Sequence, residues 1–315
     1  MERIHSMRQW MKNYFIRLNT GSRPQFRPPE FVPETMPGYQ ARDRVAVNII
    51  LFIITVLTTT FAGAAGGDTI TAQFVSGLPY SVTLIVILLC HEFGHYGAAR
   101  KFGVKATLPY FIPFPSIIGT MGAVIKTRSP IPNRRALFYI GAMGPLMGFT
   151  VSLAAVIAGI FLSEIKPLPT GGSDLVMPVF GDSLLFALFV KMIHGTIPPG
   201  NDIYLSPYAW AGWIGFLITS LNLMPIGQLD GSHVLYALIG RKQVVAGWLC
   251  LAGLVILSFI WQGWIIWILL TFMLLMVAHP EVPKGEALSP AEKAVGWLCM
   301  VILLITFVPV PVDFL

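Results

Sequence analysis

Residues 77–99 run Gly77-Leu-Pro-Tyr-Ser-Val-Thr-Leu-Ile-Val-Ile-Leu-Leu-Cys90-His91-Glu92-Phe93-Gly94-His95-Tyr-Gly-Ala-Ala99. As a helix the stretch measures about 34 Å, enough to cross a hydrocarbon layer of about 30 Å. It is apolar up to Cys90 and then carries a His-Glu-x-x-His. Positions i and i+4 project from one helix face. His91 and His95 can therefore both reach one tetrahedral zinc ion, with Glu92 beside it as a general base. A charged group at membrane depth is costly and is a functional feature by default. With 6 histidines in the chain, composition alone yields roughly 0.003 such motifs.

The rest of the chain agrees with a membrane setting. Of 315 residues, 55% are hydrophobic and only 11% charged, and the mean hydropathy is +0.72. Soluble domains carry about 25% charged residues, so an ordinary soluble enzyme, a disordered chain and a collagen-like repeat are excluded. Further apolar runs lie near 45–66, 136–162, 207–224, 244–261, 263–279 and 294–312, and Glu92 is the one formal charge within all seven. Leu184–Ile193 is apolar but too short to span. The expected fold is an all-α polytopic membrane protein of about six to seven transmembrane helices.

Charge orients these spans. Segment 100–135 holds Arg100, Lys101, Lys105, Lys126, Arg128, Arg134 and Arg135 and no acid, whereas 67–76 carries only Asp68. The positive-inside rule then places the N-terminus and the 100–135 loop in the cytoplasm. The net charge of +6 is read as topology, and nucleic acid is not an expected partner. Residues 1–44 carry eight Lys or Arg against four acids. They read as a cytoplasmic basic arm without a cleavable signal peptide, either an interfacial amphipathic helix or an unstructured tail at first, then a Pro-rich linker. The three cysteines, Cys90, Cys250 and Cys299, suggest no disulfide framework.

Two histidines leave a catalytic zinc one protein ligand short. The supplier should be a carboxylate, His or Cys at the same depth. Asp230 qualifies, in Asn222-Leu-Met-Pro225-Ile-Gly227-Gln-Leu229-Asp230-Gly231. It emerges on the same side as His91 and His95 if alternate spans run in opposite directions, and His233 is an alternative. Pro225 should break the span just before Asp230, with Gly227 and Gly231 permitting a bend. Asn222 is a candidate to hydrogen-bond substrate backbone or an oxyanion. Residues 107–126 are apolar but too rich in Pro and Gly for a helix, and read as a re-entrant β-hairpin near the zinc site. Gly144 and Gly148 form a GxxxG, which predicts close helix packing, and Asn133-Arg134-Arg135 reads as an interfacial anchor.

His91-Glu92-Phe93-Gly94-His95 together with Asn222-x-x-Pro225-x-x-x-Leu229-Asp230-Gly231 resembles the site-2 proteases, zinc metalloproteases that cut within the membrane. The resemblance covers roughly residues 77–240. It implies that His91, His95 and Asp230 bind one Zn²⁺ per chain and that Glu92 activates the water. It also implies that Asn222 and Pro225 handle substrate, and that the hairpin, at Gly119 and Gly122, offers a strand edge to an extended peptide. Between the core spans no PDZ-type insertion of the kind many members carry is apparent.

The expected organisation is a basic arm at 1–44, a catalytic core at 45–240 and C-terminal transmembrane helices at 241–315. The core comprises a zinc helix at 77–99, the re-entrant segment 107–126 and the Asp motif 222–231. The expected activity is intramembrane zinc-dependent proteolysis of transmembrane proteins, in a multi-pass protein of the cell membrane with its active site toward the cytoplasm. A metal or ion transporter using intramembrane His and Glu is the alternative. A transporter usually shows internal repeats, and the sequence has no second His-Glu-x-x-His. The sequence sets neither the substrate nor the oligomeric state.

Overall fold

The computed structural model describes residues 45–64, 66–167, 178–276, 282–283 and 285–314. The chain divides into units Met1–Arg42 and Asp43–Leu315, and all the described residues belong to the second. The basic arm lies outside the described residues.

Each of the seven apolar runs forms helix. They are α1 (Val45–Ala62), α2 (Ile70–Lys101), α3 (Arg134–Phe161), α5 (Pro207–Asn222), α7 (Gln243–Ser258), α8 (Trp264–Met276) and α9 (Pro290–Thr306), with the short α4 (Leu184–His194) and α6 (Asp230–Ile239) between them. Among the described residues, four helical runs are long and apolar enough to cross a membrane. These are α1, α2, α3 and the run Asp230–Ser258, which joins α6 to α7. The sequence pattern predicts six to seven. The run at 207–224 falls short because α5 stops at Asn222 after 16 residues. Conversely, α2 begins seven residues before the expected start: Thr69 caps it, its side chain accepting from the Ala72 N–H, and Pro79 is accommodated inside it.

Helices α2, α3 and α5 enclose the main core, in which Tyr80, Leu84, Leu88, Val156, Ile160, Ile214 and Phe216 are buried. Burial of such side chains contributes about 1.5–3 kcal/mol each in water. In a bilayer that drive is weak, and close packing and interhelical hydrogen bonds carry more of the association. The α1–α2 contact shows this. Thr59 Oγ1 and Ser81 Oγ share a 2.6 Å hydrogen bond, and a Cβ at Gly77 would strike the Thr60 carbonyl.

Segment 107–126 forms an antiparallel hairpin of β1 (Tyr110–Pro113) and β2 (Thr120–Val124), with Tyr110 opposite Val124 and Phe111 opposite Ala123. Helix α1 runs along it. Asn48 Nδ2 donates to the Pro109 carbonyl at 2.8 Å near the hairpin base, and Phe52 packs edge-on against Phe111. Near the tip Tyr80 OH donates to the Ile118 carbonyl at 2.8 Å. Gly119 has φ +84° and its missing Cβ lets the turn approach Thr58 and Thr59. Asn48 and Thr59 are eleven residues apart on a helix, so the hairpin follows α1 for about 16 Å.

At the far end of α3, β3 (Glu164–Pro167) pairs with β5 (Asn201–Tyr204), and β4 (Pro178–Phe180) pairs with β6 (Val312–Phe314). Helix α4 lies between these strands. The Gly181 N–H just before it donates to the Pro311 carbonyl, and His194 at its end hydrogen-bonds the Ile160 carbonyl at 2.9 Å. Its two ends are thus fastened to the C-terminal ends of α9 and α3.

At the opposite end, Asn133 caps α3 by accepting from the Ala136 N–H at 2.8 Å. Arg135 Nε donates to Glu292 Oε1 at 2.7 Å. Glu292 closes a capping box with Ser289 at the start of α9. The Asn-Arg-Arg segment read as an interfacial anchor also supplies a cap and a clasp between α3 and α9. The Ser289 N–H and then the Arg135 guanidinium hold the Glu292 carboxyl down at about 2, against about 4.3 when unfolded. A depressed pKa stabilises the fold above the unfolded value, and the contribution fades as pH falls through the folded one. The thermal-stability gap between wild type and Glu292→Gln is therefore expected to close between about pH 4.5 and 2. Ser289→Ala should cost about 1 kcal/mol at neutral pH. Thermal unfolding in detergent across that pH range measures both.

Candidate metal centre

The site is assembled from α2, α3 and the start of α6. His91 and His95 are buried on one face of α2, one turn apart. The break after α5 brings in the third group. Past Asn222 the chain turns through Pro225, and Asp230 opens α6 in its first turn. The helix N-terminus favours a carboxylate there. Gly227 has φ +57°, and Gly231 lies so close to the Leu223 carbonyl that a Cβ would overlap it. Both glycines permit the bend that the sequence suggested.

Three donor atoms converge. His91 Nε2 lies 3.0 Å from His95 Nε2. Asp230 Oδ2 lies 3.4 Å from the first and 3.2 Å from the second. A tetrahedral metal with bonds of about 2.0–2.2 Å holds its ligands about 3.3 Å apart, so the three atoms fit one face of a zinc site. His95 Nδ1 lies 2.6 Å from the Ile140 carbonyl. A carbonyl only accepts, so Nδ1 carries the proton and Nε2 presents its lone pair to the cluster, the usual outer-shell arrangement for a metal histidine. Asp230 keeps 17% of its side chain exposed, so the cluster is not sealed.

Glu92 is buried on the next position of α2. A carboxylate oxygen of Glu92 and one nitrogen of each histidine all lie within 4.8 Å of one another. Strand β2, which ends one residue before Ile125, packs against α2. Asn222 Nδ2 stands 3.4 Å from His91 Nε2, on the same cluster. Pro225 does not meet the donors through its carbonyl, which accepts from Gln243 Nε2 at 2.8 Å. Gly119 lies against α1, and Gly122, with φ +100°, has open space where a Cβ would stand.

The GxxxG of α3 has a more specific task than helix packing. A Cβ at Gly144 would overlap the His95 ring, and one at Gly148 would lie 3.1 Å from His91 Cβ. The two motifs face each other in antiparallel register, small residues on α3 making room for imidazoles on α2. Gln243 and the Ile140 carbonyl were not legible from the sequence. Their roles rest on backbone geometry and distant pairing, which leave no motif.

A membrane-type helical bundle with a buried His-His-Asp cluster and an adjacent Glu defines a class of metal-dependent membrane hydrolase folds. The profile of peptidase family M50 matches residues 79–260, and the chain belongs to that family, the site-2 protease family. It is similar to the probable zinc metalloprotease EGY2, chloroplastic, of Arabidopsis thaliana, with 30% identity over 245 residues, 76% of this chain and 42% of that protein. It is also similar to the probable zinc metalloprotease EGY1, chloroplastic, of Oryza sativa subsp. japonica. There the identity is 34% over 173 residues, 54% of this chain and 29% of that protein. The chain thus spans less than half the length of these relatives. No solved structure matches it.

Gly144→Val should push the His95 ring out of the cluster. Zinc affinity, measured by competition with a chelator, is expected to fall about 10–100-fold. Gly148→Ala should lower it less, with helix content by circular dichroism preserved in both.

Proposed function

We propose that this chain is an intramembrane zinc metalloprotease that hydrolyses peptide bonds of transmembrane proteins. The observation that carries the reading is the triangle of His91, His95 and Asp230 donors at tetrahedral spacing with Glu92 beside it. Membership of peptidase family M50 and the similarity to proteins named as probable zinc metalloproteases support it.

His91, His95 and Asp230 would hold one zinc ion. When bound, zinc supplies a Lewis acid that makes water nucleophilic near neutral pH and polarises the scissile carbonyl. Glu92 takes a proton from the attacking water and returns it to the leaving amine. The Asn222 amide, on the same cluster, donates to the oxygen that gains charge in the transition state. A substrate must be extended to be cut, and the free edge of β2 suits an extended chain. Thr107 N–H donates to the Lys126 carbonyl and Arg128 N–H to the Lys105 carbonyl. By alternation, residues 123 and 125 turn their backbone groups to the other edge.

The 16 Å course of the hairpin beside α1 supports its insertion into the membrane as a re-entrant element, at Gly119 and Gly122 near its tip. Six to seven crossings follow if α5, α8 and α9, each shorter than a full span, also cross. The proposed organisation is a 1–44 arm, a 45–240 core and 241–315 helices. The excess of Lys and Arg at the end that carries residues 100–135 supports a cytoplasmic face there, in a cell membrane.

Cleavage of a single-pass membrane substrate by the reconstituted chain tests the reading. Glu92→Gln is expected to lower the rate about 10²–10⁴-fold while retaining zinc. Asp230→Ala should lose zinc and activity together. Equal cleavage by wild type and Glu92→Gln would overturn the mechanism, and unchanged zinc in Asp230→Ala would overturn the ligand set.

A further inference from the structure

Four cations flank the junction of α2 and the hairpin base. Arg100 and Lys101 end α2, Lys105 follows the turn, and Lys126 lies opposite Thr107 across the strand pair. All four are exposed. Residues 100–135 contain no Asp or Glu, and among the described residues none of the four meets a carboxylate. Arg135, by contrast, is paired with Glu286 and Glu292.

Three of the four lie over tyrosine rings: Arg100 over Tyr96 at 5.9 Å, Lys101 over Tyr139 at 5.0 Å and Lys126 over Tyr110 at 5.9 Å. Tyrosines with this apolar body and polar tip settle at the headgroup level of a membrane. The hairpin surface next to these cations is apolar and exposed, at Leu108, Ile112 and Val124. Charge at the rim with exposed apolar side chains beside it matches one molecule with a negative head and a hydrocarbon tail. A free phosphate or an acidic peptide would use only the charges.

We propose that anionic phospholipid headgroups bind at Arg100, Lys101, Lys105 and Lys126, and that this seats the hairpin base beside Glu92. Lys126 lies two residues past β2, and β2 packs against α2, the helix that carries Glu92. Fixing Lys126 at the headgroup plane therefore fixes the end of that strand as well. The seating clause rests on the proteolytic reading for its consequence, and the lipid clause stands without it.

The test uses the full chain reconstituted in phosphatidylcholine, with spin-labelled phosphatidylglycerol and phosphatidylcholine as probes. Wild type is expected to prefer the anionic probe several-fold, less so in 0.5 M salt because the charges are exposed to screening. The combined variant Arg100→Gln, Lys101→Gln, Lys105→Gln, Lys126→Gln should show little preference. Equal association of both probes with wild type, or full preference in the variant, overturns the lipid site. Hydrogen exchange at amides 120–128 should slow when phosphatidylglycerol is added to wild type but not to the variant, and unchanged exchange overturns the seating. Absence of cleavage in every lipid, with preference and protection intact, faults the proteolytic reading alone.

Discussion

Two carboxylates and two imidazoles share one small volume inside an apolar bundle. A buried charge without a partner costs several kcal/mol. The surrounding structure is arranged so that none of the four lacks one. Asp230 meets both histidines, and His95 is fixed from behind by the Ile140 carbonyl. Glu92 has a carboxylate oxygen within 4.8 Å of a nitrogen of each histidine. The break after α5 puts Asp230 at a helix N-terminus instead of mid-helix. In the proposed reading a metal ion would complete the balance, held by the three donor atoms that converge there.

The sequence made the centre of this arrangement legible because its residues are rare in an apolar chain. His91, Glu92, His95 and Asp230 could be singled out, and helix periodicity put the histidines on one face. Pro and Gly in 107–126 excluded a helix and favoured the hairpin that is found. The helix boundaries were less legible. Gly77 and Pro79 resemble a helix start, yet Thr69 caps α2 well before them. The long-range pairings left no local trace. Arg135 looks like a lipid anchor until Glu292, 157 residues away in sequence, is seen to accept from it. Gln243 is an ordinary polar residue until its contact with the Pro225 carbonyl is known.

The hairpin links regions that the sequence presents separately. One strand is held by α1 through Asn48 and Phe52. The other packs against α2, the helix that carries Glu92. The tip reaches Tyr80, about three turns before His91 on the same helix. A shift of α1 would therefore move the strand that lines the site, without any change in α2 or α3.

The division of the donor set between α2 and α6 also governs when the site comes into being. During synthesis, His91 and His95 leave the ribosome together, and Asp230 follows about 135 residues later. At about 5–20 residues per second that interval is roughly 7–27 s. For that time the nascent chain carries a half-made centre, with two imidazoles and a glutamate already in the bilayer and the balancing carboxylate not yet made. If these residues hold the metal as proposed, its loading would be a late event in the biogenesis of this protein, completed only once α6 has been made.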